Sequence, residues 1–145
     1  MNPHLFVYGS LLSNARHPMG ERLAREARQL GEGSLPGRLY RIDWYPGLVE
    51  ACGAGERVYG EVYALQDPMR TLRWLDVYEG LTADGPHDGE YVRRERPVRL
   101  ATGAAIGCWV YLYCRDVSGL PALPGGRWPT GAAPTCHRPP SRHTA

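Results

Sequence analysis

The segment Leu5–Leu12 reads LFVYGSLL. Leu5 to Tyr8 form an unbroken apolar and aromatic run, the pattern of a buried strand, and the run stops at Gly9-Ser10 before two leucines resume. A strand that breaks there admits three readings. The break is a simple turn; Ser10 is a nucleophile at the strand end; or Gly9 lets main-chain N–H groups come close to a ligand.

The rest of the chain weighs against the nucleophile. All 17 basic residues are arginine, so serine–lysine pairs, Schiff bases and a Walker-type phosphate lysine are excluded. The histidines stand at 4, 17, 87, 137 and 143, none in the core of a predicted helix or strand. VYGSL lacks the first glycine of G-x-S-x-G. A turn hydroxyl is the preferred reading of Ser10. Neither G-x-G-x-x-G nor GK[ST] follows the strand, so a nucleotide site is not supported. A glycine-opened loop whose N–H groups face a carboxylate remains.

Composition sets the frame. At 145 residues and 43% hydrophobic content, one domain with a usable core is expected. The net charge of +2 with scattered arginines gives no nucleic-acid face. Arg93, Arg94, Arg96 and Arg99 cluster, and they read as the solvated side of a strand. The four cysteines (52, 108, 114, 136) have no C-x-x-C spacing and read as small buried hydrophobes, apart from Cys136 beside His137 near the C-terminus. The stretch MNPHLFVYG has no secretory pattern, and CWVYLYC is too short to span a bilayer. A reduced, cytoplasmic protein is expected, with no membrane partner, no metal and no other cofactor.

Periodicity places the elements. Pro18–Leu30 is predicted helical, with Met19, Leu23, Ala27 and Leu30 on one face and Gly31 as the C′ residue. GRLYRIDWYPGLVEA reads as strand, turn and strand, turning at Pro46-Gly47. Arg57–Leu65 is a strand with Val58, Gly60, Val62 and Ala64 on one face; Gly60 signals a bulge or a close backbone approach. Asp67-Pro68 starts a second helix, with Met69, Leu72 and Leu75 inward and Gly80 as its stop. YVRRERPVRL and AAIGCWVYLYC are further strands, and the last is apolar on both faces. From Gly119 proline and glycine dominate, and TGAAPTCHRPPSRHTA has no periodicity. The predicted organisation is a domain over 1–128 and a disordered tail over 129–145. Two helices and about six strands make an α+β chain whose short strands can close into a small barrel.

The second candidate stretch is LRWLDVYEGL, Leu72–Leu81. Glu79 stands at the C-terminal end of the predicted helix, where the helix dipole disfavours a carboxylate. Trp74, Leu75 and Tyr78 surround it. If buried, it has a raised pKa. Two readings stand side by side: a solvated terminal glutamate, or an acid kept for function. Asp76 is the competing acid.

Together these stretches resemble the γ-glutamylcyclotransferase-like family in its small bacterial form. FVYGSLL, LYRIDWYPGLV, VYGEVYAL, LRWLDVYEG, YVRRERPVRL and CWVYLY match in order from Leu5 to Cys114. The YGSL-type stretch alone is weakly specific; YGSL, GEVY and LDxYEG in that order are much more so. The resemblance implies a small mixed β-barrel with flanking helices. It implies that Tyr8, Gly9, Ser10 and Leu11 hold a γ-glutamyl group and that Glu79 is the acid/base. It places Tyr91 as a pocket residue. The implied reaction converts a γ-glutamyl amide to 5-oxoproline and a free amine, through attack by the substrate's own α-amine. The alternative is a non-catalytic module of the same fold that binds a small acid.

Overall fold

Strand β1 (His4–Val7) sits in the middle of the pairing. It runs antiparallel to β5 (Arg57–Leu65), with Leu5 opposite Tyr63 and Val7 opposite Glu61. On its other edge it meets β7 (Ala105–Tyr113) in parallel, with Leu5 opposite Trp109. The far edge of β5 carries β2 (Ala27–Pro36), and β6 (Tyr91–Leu100) bridges β2 to β7. The sheet therefore closes in the order β1-β5-β2-β6-β7, which leaves no open edge among these strands. A separate hairpin pairs β3 (Arg38–Arg41) with β4 (Pro46–Val49). Helices α1 (Pro18–Glu26) and α2 (Pro68–Tyr78) complete an α+β fold, as the sequence predicts. Among the described residues the strands number seven rather than about six, five in the barrel and two in the hairpin. The computed structural model describes residues 1–15, 17–50, 55–79 and 90–129.

Alternation along the strands builds two apolar clusters on opposite faces. Phe6, Leu35, Val58, Val62, Val98, Cys108 and Val110 come from all five barrel strands and fill the interior. Leu5, Val7, Tyr63, Leu65 and Tyr111 point the other way, against Leu23 of α1 and Leu72 and Leu75 of α2. Each fully buried residue of this size contributes roughly 1.5–3 kcal/mol of transfer free energy. Both faces of β7 are covered, as its sequence predicts. Gly60 makes the close approach expected of it: a Cβ there would lie 2.0 Å from the Val7 carbonyl oxygen, so no side chain fits between β5 and β1.

Several expectations are corrected. α1 ends at Glu26, and Ala27–Pro36 is strand, not helix. Pairing with β5 along the whole of β2 outweighs one more helical turn over Ala27–Leu30. Leu30 is the extra residue where the register shifts between Gln29 and Gly31, and it is 37% exposed. Gly31 keeps a positive φ, but inside that bulge and not as a helix C′ residue. The hairpin turns earlier than Pro46-Gly47: those residues pair with Arg41 and Tyr40, and the Ile42 and Asp43 N–H groups donate to the Tyr45 carbonyl. Proline is tolerated there as the first strand residue. Met69 is 65% exposed, because Thr71, Leu72, Leu75 and Tyr78 take the inner face of α2. On β5, Ala64 is only half-buried, while Tyr63 and Leu65 are buried against the outer cluster.

Cys108 is the buried hydrophobe predicted, its thiol pushed up to about 12 by desolvation, whereas Cys114 lies just past β7 and is exposed. Cys52, Cys136 and the Gly80 stop lie outside the described residues, as does the tail from 130 onward. The proline- and glycine-rich segment before it is docked. Leu123 N–H donates to Leu39, Tyr59 N–H to Gly126, and Trp128 packs against both clusters. Among the described residues no helix is long and apolar enough to cross a membrane.

Candidate active site

The Gly9 break does shape a cavity. Beyond β1 the chain turns, with Leu12 N–H donating to the Gly9 carbonyl at 3.0 Å. Tyr8, Gly9 and Leu11 then line one side of a small enclosed space, with Phe6 and Val7 behind them. Across it stand Glu79, from the end of α2, and Tyr111, from β7. Four of the six residues that the sequence assigned to the site, Tyr8, Gly9, Leu11 and Glu79, thus share one cavity. Ser10 does not line it. Its Oγ shares a 2.8 Å hydrogen bond with the Tyr78 hydroxyl, on the α2 side of the loop. The Tyr78 phenol is held well above its ordinary pKa by burial, so it cannot activate Ser10 as a base.

Asp67 builds the helix that delivers Glu79. Its side chain accepts from the Arg70 N–H, and Pro68 presets the first turn. Glu79 is the C-cap residue, with its N–H donating to the Leu75 carbonyl at 2.8 Å. Its side chain is 1% exposed, and Oε1 is buried without a hydrogen-bond partner among the described residues. Unsatisfied buried oxygens are rare in native proteins, and each calls for a reason. Burial pushes the carboxyl well above the usual carboxylate range. The negative charges of Asp76 and then Glu90 add to the shift.

Asp76, the competing acid, is fully engaged. It accepts from Arg93 Nε at 2.8 Å and Nη2 at 3.0 Å, and from the Tyr111 hydroxyl at 2.7 Å. Arg93 also lies over the Trp109 ring, 4.5 Å from its centroid. Arg93 is therefore a half-buried anchor, which corrects its reading as a solvated residue; Arg94 and Arg99 are exposed as predicted. The Arg96 guanidinium bonds the Glu50 carboxylate.

Tyr8 is fixed from two sides. Its hydroxyl donates to the Tyr111 carbonyl at 2.6 Å and accepts from the Leu48 N–H at 3.2 Å. Burial, then the Glu79 charge, raises its pKa well above the ordinary phenol value. It shapes the wall and keeps its proton. Tyr91 does not line the cavity; it is buried beside it and donates to the Pro46 carbonyl at 2.7 Å. Tyr111 is the site residue that sequence reasoning missed. Its signal was the aromatic outer face of β7, which periodicity could identify only as covered. Among the described residues no group of three or more His, Cys, Asp or Glu could hold a metal ion.

The family model described as "Gamma-glutamyl cyclotransferase, AIG2-like" matches residues 5–130. The chain belongs to this family. It is 35% identical over 126 residues to the γ-glutamylcyclotransferase family protein YtfP of Escherichia coli K12, covering 86% of this chain and 94% of that one. The solution structure of E. coli ytfP superposes with a TM-score of 0.60 at 31% identity, over 86% of this chain and 95% of that one. An AIG2-like protein from Mus musculus gives 0.63 at 26% identity, covering 94% and 98%. The family match spans both halves of the site, from the Tyr8–Leu11 loop to Glu79.

Proposed function

We propose that this chain is a γ-glutamyl amide cyclotransferase that releases 5-oxoproline and a free amine. The observation that carries the proposal is the Glu79 carboxyl: buried, unpartnered at Oε1, and opposite a glycine-opened loop. A carboxyl in that state takes up and returns a proton at higher pH than a solvated one.

The reaction needs no enzyme nucleophile, in keeping with Ser10 facing Tyr78. Ionised Glu79 removes a proton from the substrate's α-ammonium. The freed amine attacks the γ-carbonyl, forming the new C–N bond of the five-membered ring. The protonated Glu79 then passes its proton to the departing nitrogen as the original amide bond breaks; the ring nitrogen, cationic after the attack, gives its second proton back to Glu79, from which it leaves with the free amine as ammonium. Holding amine and carbonyl in line contributes up to about 7–11 kcal/mol, and the carboxyl about 10²–10⁴-fold. The main-chain N–H groups of Gly9, Ser10 and Leu11 are assigned to the substrate carboxylate or the developing oxyanion.

The cavity has a volume of only about 10 Å³, the space of one water. Binding of a γ-glutamyl group therefore requires the loop and the residues facing it to part. The working location is assigned as the cytoplasm.

Product identity from a panel of γ-glutamyl compounds tests the proposal. The expected product is 5-oxoproline. Free glutamate would identify a hydrolase, and ligand binding without any product would identify the small-acid-binding alternative.

A further inference from the structure

A second concavity lies between the two helices, on the face of α2 away from the barrel. Met19 and Arg22 of α1 form one bank; Arg70, Arg73, Trp74, Val77 and Tyr78 of α2 form the other. Its volume is about 640 Å³, ample for a ligand. Its floor is apolar and held rigid. The Trp74 indole N–H donates to Glu26 at 2.9 Å, and the Arg22 guanidinium caps the ring at 4.3 Å. Val77 is 48% exposed in the groove, and Met69, also on α2, is 65% exposed.

The rim is cationic and uncompensated. Arg22 is paired with Glu26 at 3.4 Å. Arg70 and Arg73 have no side-chain hydrogen bond or ion pair among the described residues, and no carboxylate lines the groove. Glu26 is already engaged by Thr71, Trp74 and Arg22. Two free guanidinium groups above a half-buried tryptophan and an exposed valine complement a chain that carries carboxylates and an apolar side chain.

We propose that the α1–α2 groove docks an acidic peptide segment, with its carboxylates on Arg70 and Arg73 and an apolar side chain on Trp74 and Val77. The eleven residues of α2 give a groove about 16 Å long, room for about five residues of extended chain. The concave shape suits a narrow chain better than a flat bilayer. A net charge of +2 supplies little of the long-range field by which nucleic acid or anionic lipid is gathered. The inference is independent of the chemistry assigned to Glu79.

The test uses the full chain and a fluorescein-labelled peptide of alternating glutamate and leucine, followed by anisotropy. Saturable binding that weakens as salt rises is expected. The double variant Arg70→Glu/Arg73→Glu should lose about tenfold or more in affinity, as should wild type towards the same peptide with glutamine for glutamate. Trp74→Phe keeps an aromatic floor and should retain binding, while Val77→Asp, at an exposed position, should lose it with the thermal midpoint little changed. Equal affinity for the glutamine peptide would overturn the proposal. So would indifference to the charge reversal, or tighter binding of duplex DNA or phosphatidylserine vesicles by the same arginines.

Discussion

Glu79 is costly to the fold. Its folded pKa is raised, so its stabilising contribution is fully present below the unfolded carboxyl pKa and is lost as pH rises through the folded value. Glu79→Gln removes that loss. The variant should melt at or above wild type at neutral pH, with the gap widening from acid towards neutral, as paired calorimetry can show. A solvated glutamate would give no such pH-dependent gap. Ser10→Ala makes the opposite contrast. It deletes one hydrogen bond to Tyr78, so it should cost about 1 kcal/mol of stability and leave the turnover rate within a few-fold. A loss of about 10³-fold or more would restore Ser10 as a nucleophile. Glu79 was legible in the sequence because it breaks a local rule at a helix end. Tyr111 and Arg93 were not, since their partners are set by the meeting of α2 with β6 and β7.

The elements work by delivering side chains to one place. The end of α2 presents Asp76 and Glu79 three residues apart, and the barrel wall answers the first with Arg93 and Tyr111. Asp76→Asn should cost about 1–3 kcal/mol, because it leaves the half-buried guanidinium without its charged partner. It also removes a negative charge that raises the Glu79 pKa. The ascending limb of the pH–rate profile should therefore move to lower pH; no shift would mean that Asp76 does not tune the site. At the β1–β5 contact, Gly60→Ala should destabilise by about 3 kcal/mol or more, since the Val7 carbonyl occupies the space of the new methyl. Both helix starts were readable from local chemistry, Pro18 in one and Asp67-Pro68 in the other. The end of α1 was not, because the pairing of β2 with distant β5 overrides a helical pattern through Leu30.

At the scale of the molecule, the barrel interior follows alternation: Val58 and Val62, read as one face of β5, point inward together with Cys108 and Val110 of β7. Closure itself was not written there. The single parallel contact of β1 with β7 joins residues over a hundred positions apart, and no local pattern encodes it. The docking of the segment after β7 was not legible either, because its glycines signal irregular backbone without showing what it packs on. Gly126, at a φ of 68°, sits where a Cβ would lie 1.8 Å from the Arg57 carbonyl oxygen. A chain ending at Pro129 should keep its thermal midpoint. One ending at Asp116 should lose about 2 kcal/mol or more, with the Trp128 packing.

In the proposed mechanism the Glu79 carboxyl moves the proton that lets the substrate's own amine close the ring. Single-turnover formation of 5-oxoproline by wild type and Glu79→Gln, each saturated with the same γ-glutamyl substrate, tests it most directly. The variant should bind substrate and form 5-oxoproline at least about 10²-fold more slowly. Equal rates in the two proteins would contradict it.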